Sequence, residues 1–175
     1  WRRIPAERGI VLKPVPIPTR EQEPALTPAA LVTRFAAAFT AKTRALFVSH
    51  VTSATGLRMP VRELCALARE RQAWSLVDGA HAPGLVEVAL TGAGADAIEP
   101  DFYFANLHKW LMGATGSAFL YVREALRPLV RPLVTTGAFE LGRDPARFDE
   151  ATVTGASRWQ LSHEYQGTRD LVPLV

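Results

Sequence analysis

The stretch Asp101-Phe-Tyr-Phe-Ala-Asn-Leu-His-Lys-Trp-Leu-Met-Gly-Ala-Thr-Gly116 organises the chain. Its aromatic run, Phe102 to Phe104, favours a strand and leads directly into Asn106, His108 and Lys109. A small-residue turn follows at Gly113 to Gly116, and Ala118-Phe-Leu-Tyr-Val122 reads as a returning strand. One lysine therefore stands at a strand exit, preceded by two side chains that can donate hydrogen bonds. The chain holds three lysines beside seventeen arginines. An amine can lose its proton and attack a carbonyl, which a guanidinium effectively cannot do. The structural alternative is a lysine stem that packs on the aromatics while its head reaches water.

Upstream of this stretch, strands and helices alternate. Gly9-Ile-Val-Leu-Lys-Pro-Val-Pro-Ile17 reads as a proline-interrupted edge strand. Leu26 to Phe39 reads as a helix: Thr27 is placed to cap it, Pro28 suits its first turn, and Leu31, Phe35 and Phe39 recur every four residues. Arg44-Ala-Leu-Phe-Val-Ser49 is continuously apolar, the pattern of a strand covered on both sheet faces. Pro60 opens a second helix, from Val61 to about Arg71, and Ala73-Trp-Ser-Leu-Val-Asp78 is a further strand. Leu85 to Glu99 is expected to hold a short helix and a glycine-rich turn. Strand, helix, strand, helix, strand predicts an α/β fold with a parallel sheet and right-handed crossovers.

In such sheets function gathers beyond the carboxyl ends of the strands. Three strand ends carry polar groups: Ser49 to Thr55, Asp78 to His81, and Asn106 to Lys109. Each has an ordinary reading as a turn or a helix cap. An acid, a histidine and a lysine on one edge are harder to dismiss together.

At 175 residues, 48% hydrophobic and 21% charged, the chain suits one soluble core-bearing domain. The formal charge of +3 is spread along the sequence, with no basic run interleaved with aromatics, so nucleic-acid binding is not expected. No apolar run approaches membrane-spanning length. Cys65 is the single cysteine, which excludes an intrachain disulfide and makes a cysteine-based metal site implausible; no metal is expected. Its helical, apolar context marks it as core packing, without the mobility or activating charge of a desulfurase thiol. Trp1-Arg-Arg-Ile-Pro5 resembles neither a start nor a signal peptide.

A lysine able to form an imine, an acid able to protonate a ring nitrogen, and donors for a phosphate meet the needs of pyridoxal 5'-phosphate. A phosphate- or nucleotide-binding α/β domain without covalent chemistry is the competing class. It predicts a glycine-rich loop after the first strand, and Thr91-Gly-Ala-Gly-Ala-Asp96 is the nearest stretch, lacking a third glycine. A third reading is a catalytically dead fold kept for interaction, for which Asp78, His81 and Lys109 together have no chemical use.

Ser49-His-Val-Thr-Ser-Ala-Thr-Gly56, Val77-Asp-Gly-Ala-His-Ala-Pro-Gly84 and Asn106-Leu-His-Lys-Trp-Leu111 resemble the class V aminotransferase superfamily of pyridoxal-phosphate enzymes. That group includes cysteine desulfurases, and the chain looks closest to the isopenicillin N epimerase-like branch. The match runs from about Trp1 to Thr168. It implies a three-layer sandwich with a mainly parallel sheet, the fold type I large domain, in incomplete form. Residues 1–175 would be its central part, without the N-terminal portion and the C-terminal small domain. The isolated chain is accordingly expected to bind the cofactor weakly and turn over negligibly.

The resemblance further implies that Lys109 forms the internal aldimine and shuttles the α-proton, and that Asp78 pairs with the pyridine nitrogen. His81 matches a position near the ring hydroxyl. His108 and Asn106 fall where the family holds the phosphate, Asn106 in place of a more usual serine. Ser53 occupies a ring-hydroxyl position often held by asparagine. Glu164-Tyr-Gln-Gly-Thr-Arg-Asp170 resembles the segment that reaches the neighbouring subunit, making Thr168 a phosphate ligand in trans and the protein a homodimer. An amino-acid-type substrate and a cytoplasmic enzyme are the corresponding expectations; racemisation, transamination, elimination and desulfuration all remain open.

Overall fold

The first helix, α1 (Pro28–Ala38), begins where the sequence supplies a cap: the Thr27 hydroxyl accepts from the Ala30 N–H at 3.1 Å, and proline occupies the first position. Its Leu31 and Phe35 are buried, one turn apart. The computed structural model describes residues 7–19, 21–92, 94, 96–133, 159, 160 and 163. After α1 come β1 (Ala45–Ser49), α2 (Val61–Glu70), β2 (Trp74–Asp78), β3 (Phe102–Asn106) and β4 (Ala118–Val122). The four strands form one sheet in the order β1-β2-β3-β4. β1 runs parallel to β2 and β2 parallel to β3, with Ser49 opposite Asp78 and Asp78 opposite Phe104. The fold is α/β with a mainly parallel sheet, as the alternation of elements predicts.

The chain divides into two compact units, Trp1–Tyr121 and Val122–Val175. Within the first, α2 buries Val61, Leu64, Cys65, Leu67 and Ala68. These join Leu31, Phe35, Leu46, Val48, Val77 and Tyr103 in one core. Fully burying a side chain such as Leu64 contributes about 1.5–3 kcal/mol. Within the second, a 3₁₀ helix (Glu124–Leu129) buries Leu126.

Strand alternation sorts the sheet into two faces. Leu46, Val48, Ser75, Val77, Tyr103 and Ala105 are buried on the helical side. On the other side Phe47 is 37% and Trp74 47% exposed. There Phe47 stacks on Phe104 and Trp74 meets Phe102 edge-on. Among the described residues, α1 and α2 cover the first of these faces. The burial of β1 alternates instead of being continuous.

Two expectations are corrected. Residues 10–17 join no strand ladder. Pro14 and Pro16 have no N–H to donate, so the segment is held by its side chains: Val15 and Ile17 pack against the core, and Lys13 Nζ donates to the Ala38 carbonyl at 2.9 Å. No helix occurs among the described residues of 85–99. The Ile98 N–H donates to the Ala89 carbonyl and the Glu99 N–H to the Leu90 carbonyl, closing the segment on itself around Gly92 at φ +133°. Four β-branched residues (Val86, Val88, Thr91 and Ile98) and that positive-φ glycine oppose a helical turn.

At the amino ends of β2 and β3, Asp101 and Ser75 exchange bonds. The Asp101 carboxylate accepts from the Ser75 N–H at 2.8 Å and from its hydroxyl at 3.2 Å. The Asp101 N–H donates back to the Ser75 oxygen at 2.9 Å. This buried acid is fully employed in joining two strands.

Candidate functional site

The same period of two that sorts the core also positions the polar groups. Ser49, Asp78 and Asn106 lie at the carboxyl ends of β1, β2 and β3, all on the face that α1 and α2 leave open. Beyond them the chain turns twice. After β2, the Ala80 N–H donates to Asp78 Oδ1 at 2.9 Å, and the Ala82 N–H to the Gly79 carbonyl at 2.9 Å. This turn fixes one carboxylate oxygen and presents His81. After β3, the Met112 N–H donates to the Lys109 carbonyl and the Gly113 N–H to the Leu107 carbonyl. That turn presents Lys109.

The two turns meet. Lys109 Nζ lies 3.0 Å from His81 Nε2, and the Trp110 indole N–H donates to His81 Nδ1 at 3.4 Å. Gly84 makes the approach possible: at φ +84°, a Cβ there would sit 2.7 Å from the Trp110 carbonyl carbon. His81 and Lys109 are half-buried, so both remain accessible to a ligand.

Beneath the turn after β2 lies Tyr103, fully buried. A Cβ on Gly79 would collide with its ring, so the site's floor requires glycine there. The Tyr103 hydroxyl and His50 Nδ1 lie 3.0 Å apart. The His50 N–H donates to the Asp78 carbonyl at 2.7 Å, and the Gly79 N–H to the Phe104 carbonyl at 2.8 Å. His50 and Tyr103 thus brace the backbone that carries Asp78. Burial, then the Asp78 charge, pushes the Tyr103 phenol above its usual range. Burial, then the Arg58 charge, pulls His50 from 6.5 to about 4.

Because the folded His50 binds its proton more weakly than the unfolded one, its contribution is complete above pH 6.5 and declines as pH falls toward 4. The stability lost across that window is about 3 kcal/mol. Denaturant midpoints measured from pH 7 to 4 should fall steeply in the wild type and flatten in His50→Gln.

Of the residues singled out by sequence, Asp78, His81, Asn106 and Lys109 gather at one sheet edge, with His81 and Lys109 in contact. His108 is exposed beside Lys109, and Ser53 is exposed in the loop after β1. Thr168 lies outside the described residues. The sequence reading missed Tyr103, read only as strand, and Trp110, whose adjacency to Lys109 was its one signal. Cys65 is 1% exposed, and burial pushes its thiol up to about 11. It is a core residue, as expected. No cluster able to hold a metal ion occurs among the described residues, and no described helix is long and apolar enough to cross a membrane.

A family model, aminotransferase class V, matches residues 1–157. The chain is 36% identical over 174 residues to the isopenicillin N epimerase of Amycolatopsis lactamdurans, covering 99% of this chain and 41% of that protein. It therefore spans about two fifths of the curated relatives of that kind that it matches. Among solved structures, the apo cysteine desulfurase of Thermococcus onnurineus NA1 superposes with a TM-score of 0.63 at 26% identity, over 79% of this chain and 31% of that one. A variant of the cystine C-S lyase C-DES, with glycine covalently linked to its PLP cofactor, superposes with a TM-score of 0.53 at 27% identity. That match covers 59% of this chain and 27% of the other.

Proposed function

Because the chain belongs to the aminotransferase class V family, we propose that it acts in a pyridoxal 5'-phosphate-dependent enzyme on an amino acid or amino-acid derivative, with Lys109 carrying the cofactor as an imine. The carrying observation is the 3.0 Å approach of Lys109 Nζ to His81 Nε2, on the sheet edge that also holds Asp78. The donor set suits the group. Asp78 keeps one oxygen on the Ala80 N–H and has a second oxygen with which to hold a proton on a pyridine nitrogen. His81, in contact with Lys109, would serve a ring hydroxyl of the group. His108 and Asn106, and Ser53 from the loop after β1, supply donors for a phosphate and a ring oxygen, with Thr168 of a second copy completing a homodimeric site.

When bound, pyridoxal phosphate withdraws electrons from the substrate α-carbon. Lys109 would supply the amine that takes up and returns the α-proton. The match over nearly the whole chain to an isopenicillin N epimerase supports inversion at that carbon as the reaction. Residues 1–175 are the central part of the cofactor-binding large domain in this reading, and the enzyme is cytoplasmic. A non-catalytic phosphate-binding domain would leave the contact between Lys109 and His81 without use.

Reduction of the cofactor-loaded full chain with borohydride, followed by digestion and mass mapping, should place the label on Lys109. Labelling confined to Lys13 or Lys42 overturns the assignment.

A further inference from the structure

The two nitrogens of His81 are gripped by adjacent residues: Lys109 Nζ at Nε2, 3.0 Å, and the Trp110 indole at Nδ1, 3.4 Å. Hydrogen-bond chemistry permits few combinations here. An indole N–H only donates, so Nδ1 must offer a lone pair. A neutral imidazole then carries its proton on Nε2. That Nε2–H points at Lys109, whose nitrogen accepts it only as the free amine. The other tautomer, which an ammonium at Lys109 donating to Nε2 would select, sets an Nδ1–H against the indole N–H, and an imidazolium sets a donor against both neighbours.

Trp110 itself is 51% exposed, so hydrophobic burial is a poor reason for an indole at this position. Its backbone is seated against Gly84, in the same turn that presents His81. Closure of the Leu107–Gly113 loop by backbone bonds keeps Lys109 and Trp110 on the two sides of one ring.

We propose that Trp110 is a positioning residue that holds His81 in its Nε2–H tautomer, turning that proton toward Lys109 and the ring oxygen of the cofactor. The inference rests on the pyridoxal-phosphate reading for its purpose, but the tautomer is a property of the chain alone. Lys109 would hold the group through this nitrogen as the free amine, so the donor facing Nζ would set how readily the group is loaded.

Trp110→Phe keeps an aromatic ring and removes the donor. In the cofactor-free full chain labelled with ¹⁵N-histidine, two-bond ¹H–¹⁵N spectra should show wild-type His81 protonated at Nε2. The variant should show the ratio of Nε2–H to Nδ1–H forms reduced about fivefold, the scale of one neutral hydrogen bond. Imine formation with pyridoxal phosphate, followed by absorbance, should slow by a similar factor while circular dichroism is unchanged. An unchanged tautomer ratio, or wild-type His81 protonated at Nδ1, overturns the role of Trp110 even if borohydride labels Lys109. Labelling elsewhere defeats the catalytic reading and leaves the tautomer result standing.

Discussion

Lys109→Ala should lower turnover by at least about 10⁴-fold, because one substitution removes both a nucleophile and a proton carrier. The side chain is half-buried at the turn after β3 and its amine contacts His81, so no neighbouring amine stands in. Lys13 is tied to the Ala38 carbonyl, and Lys42 lies in the turn before β1. The measurement is exchange of the α-hydrogen of candidate amino acids in deuterated water, read by NMR for the full-length enzyme loaded with cofactor. That exchange is shared by epimerase, transaminase and lyase chemistry, so it does not presume the reaction type. Methylamine added to the variant should restore part of the exchange if the missing function is proton transfer. Exchange at near-wild-type rate in Lys109→Ala would falsify the proposed role.

Asp78→Asn should reduce kcat by about 10²–10³-fold with a much smaller change in KM. The substitution keeps the shape, and the new amide oxygen can still accept the Ala80 N–H that Asp78 Oδ1 accepts at 2.9 Å. What disappears is the negative charge that keeps a proton on the pyridine nitrogen. Its effect is greatest where carbanion character develops, so the loss falls on the transition state. Steady-state kinetics on the same exchange reaction separates the two constants. A rise in KM with kcat preserved would assign Asp78 to binding alone.

Much of this arrangement was legible in the chain because local rules decide it. The Thr27-Pro28 start of α1 became a cap with the expected bond. The strands ending at Ser49, Asp78 and Asn106 could be placed from apolar runs of five or six residues. The approach of Lys109 to His81 could not, because it depends on Gly84 admitting the Trp110 backbone across a gap in sequence. Tyr103 escaped notice for a similar reason: it alternates correctly as a strand residue, and only the collision that any side chain on Gly79 would suffer reveals what it supports. The segment from Leu85 to Glu99 misled by its weak apolar spacing, which a helix and a loop closed on itself can share.

The bond exchange between Asp101 and Ser75 sits at the opposite edge of the sheet from Asp78, His81 and Lys109. Strand register is thereby pinned where no chemistry occurs, and the edge that carries the chemistry is relieved of that duty. Such a division makes residues 85–97 the natural place for an engineer to insert diversity. They connect two anchored strands without contributing a helix, and only Val88 and Leu90 among their described residues pack against the core, so variation that spares those two should leave the register intact. Libraries at Ser75 or Asp101 should yield mostly insoluble protein.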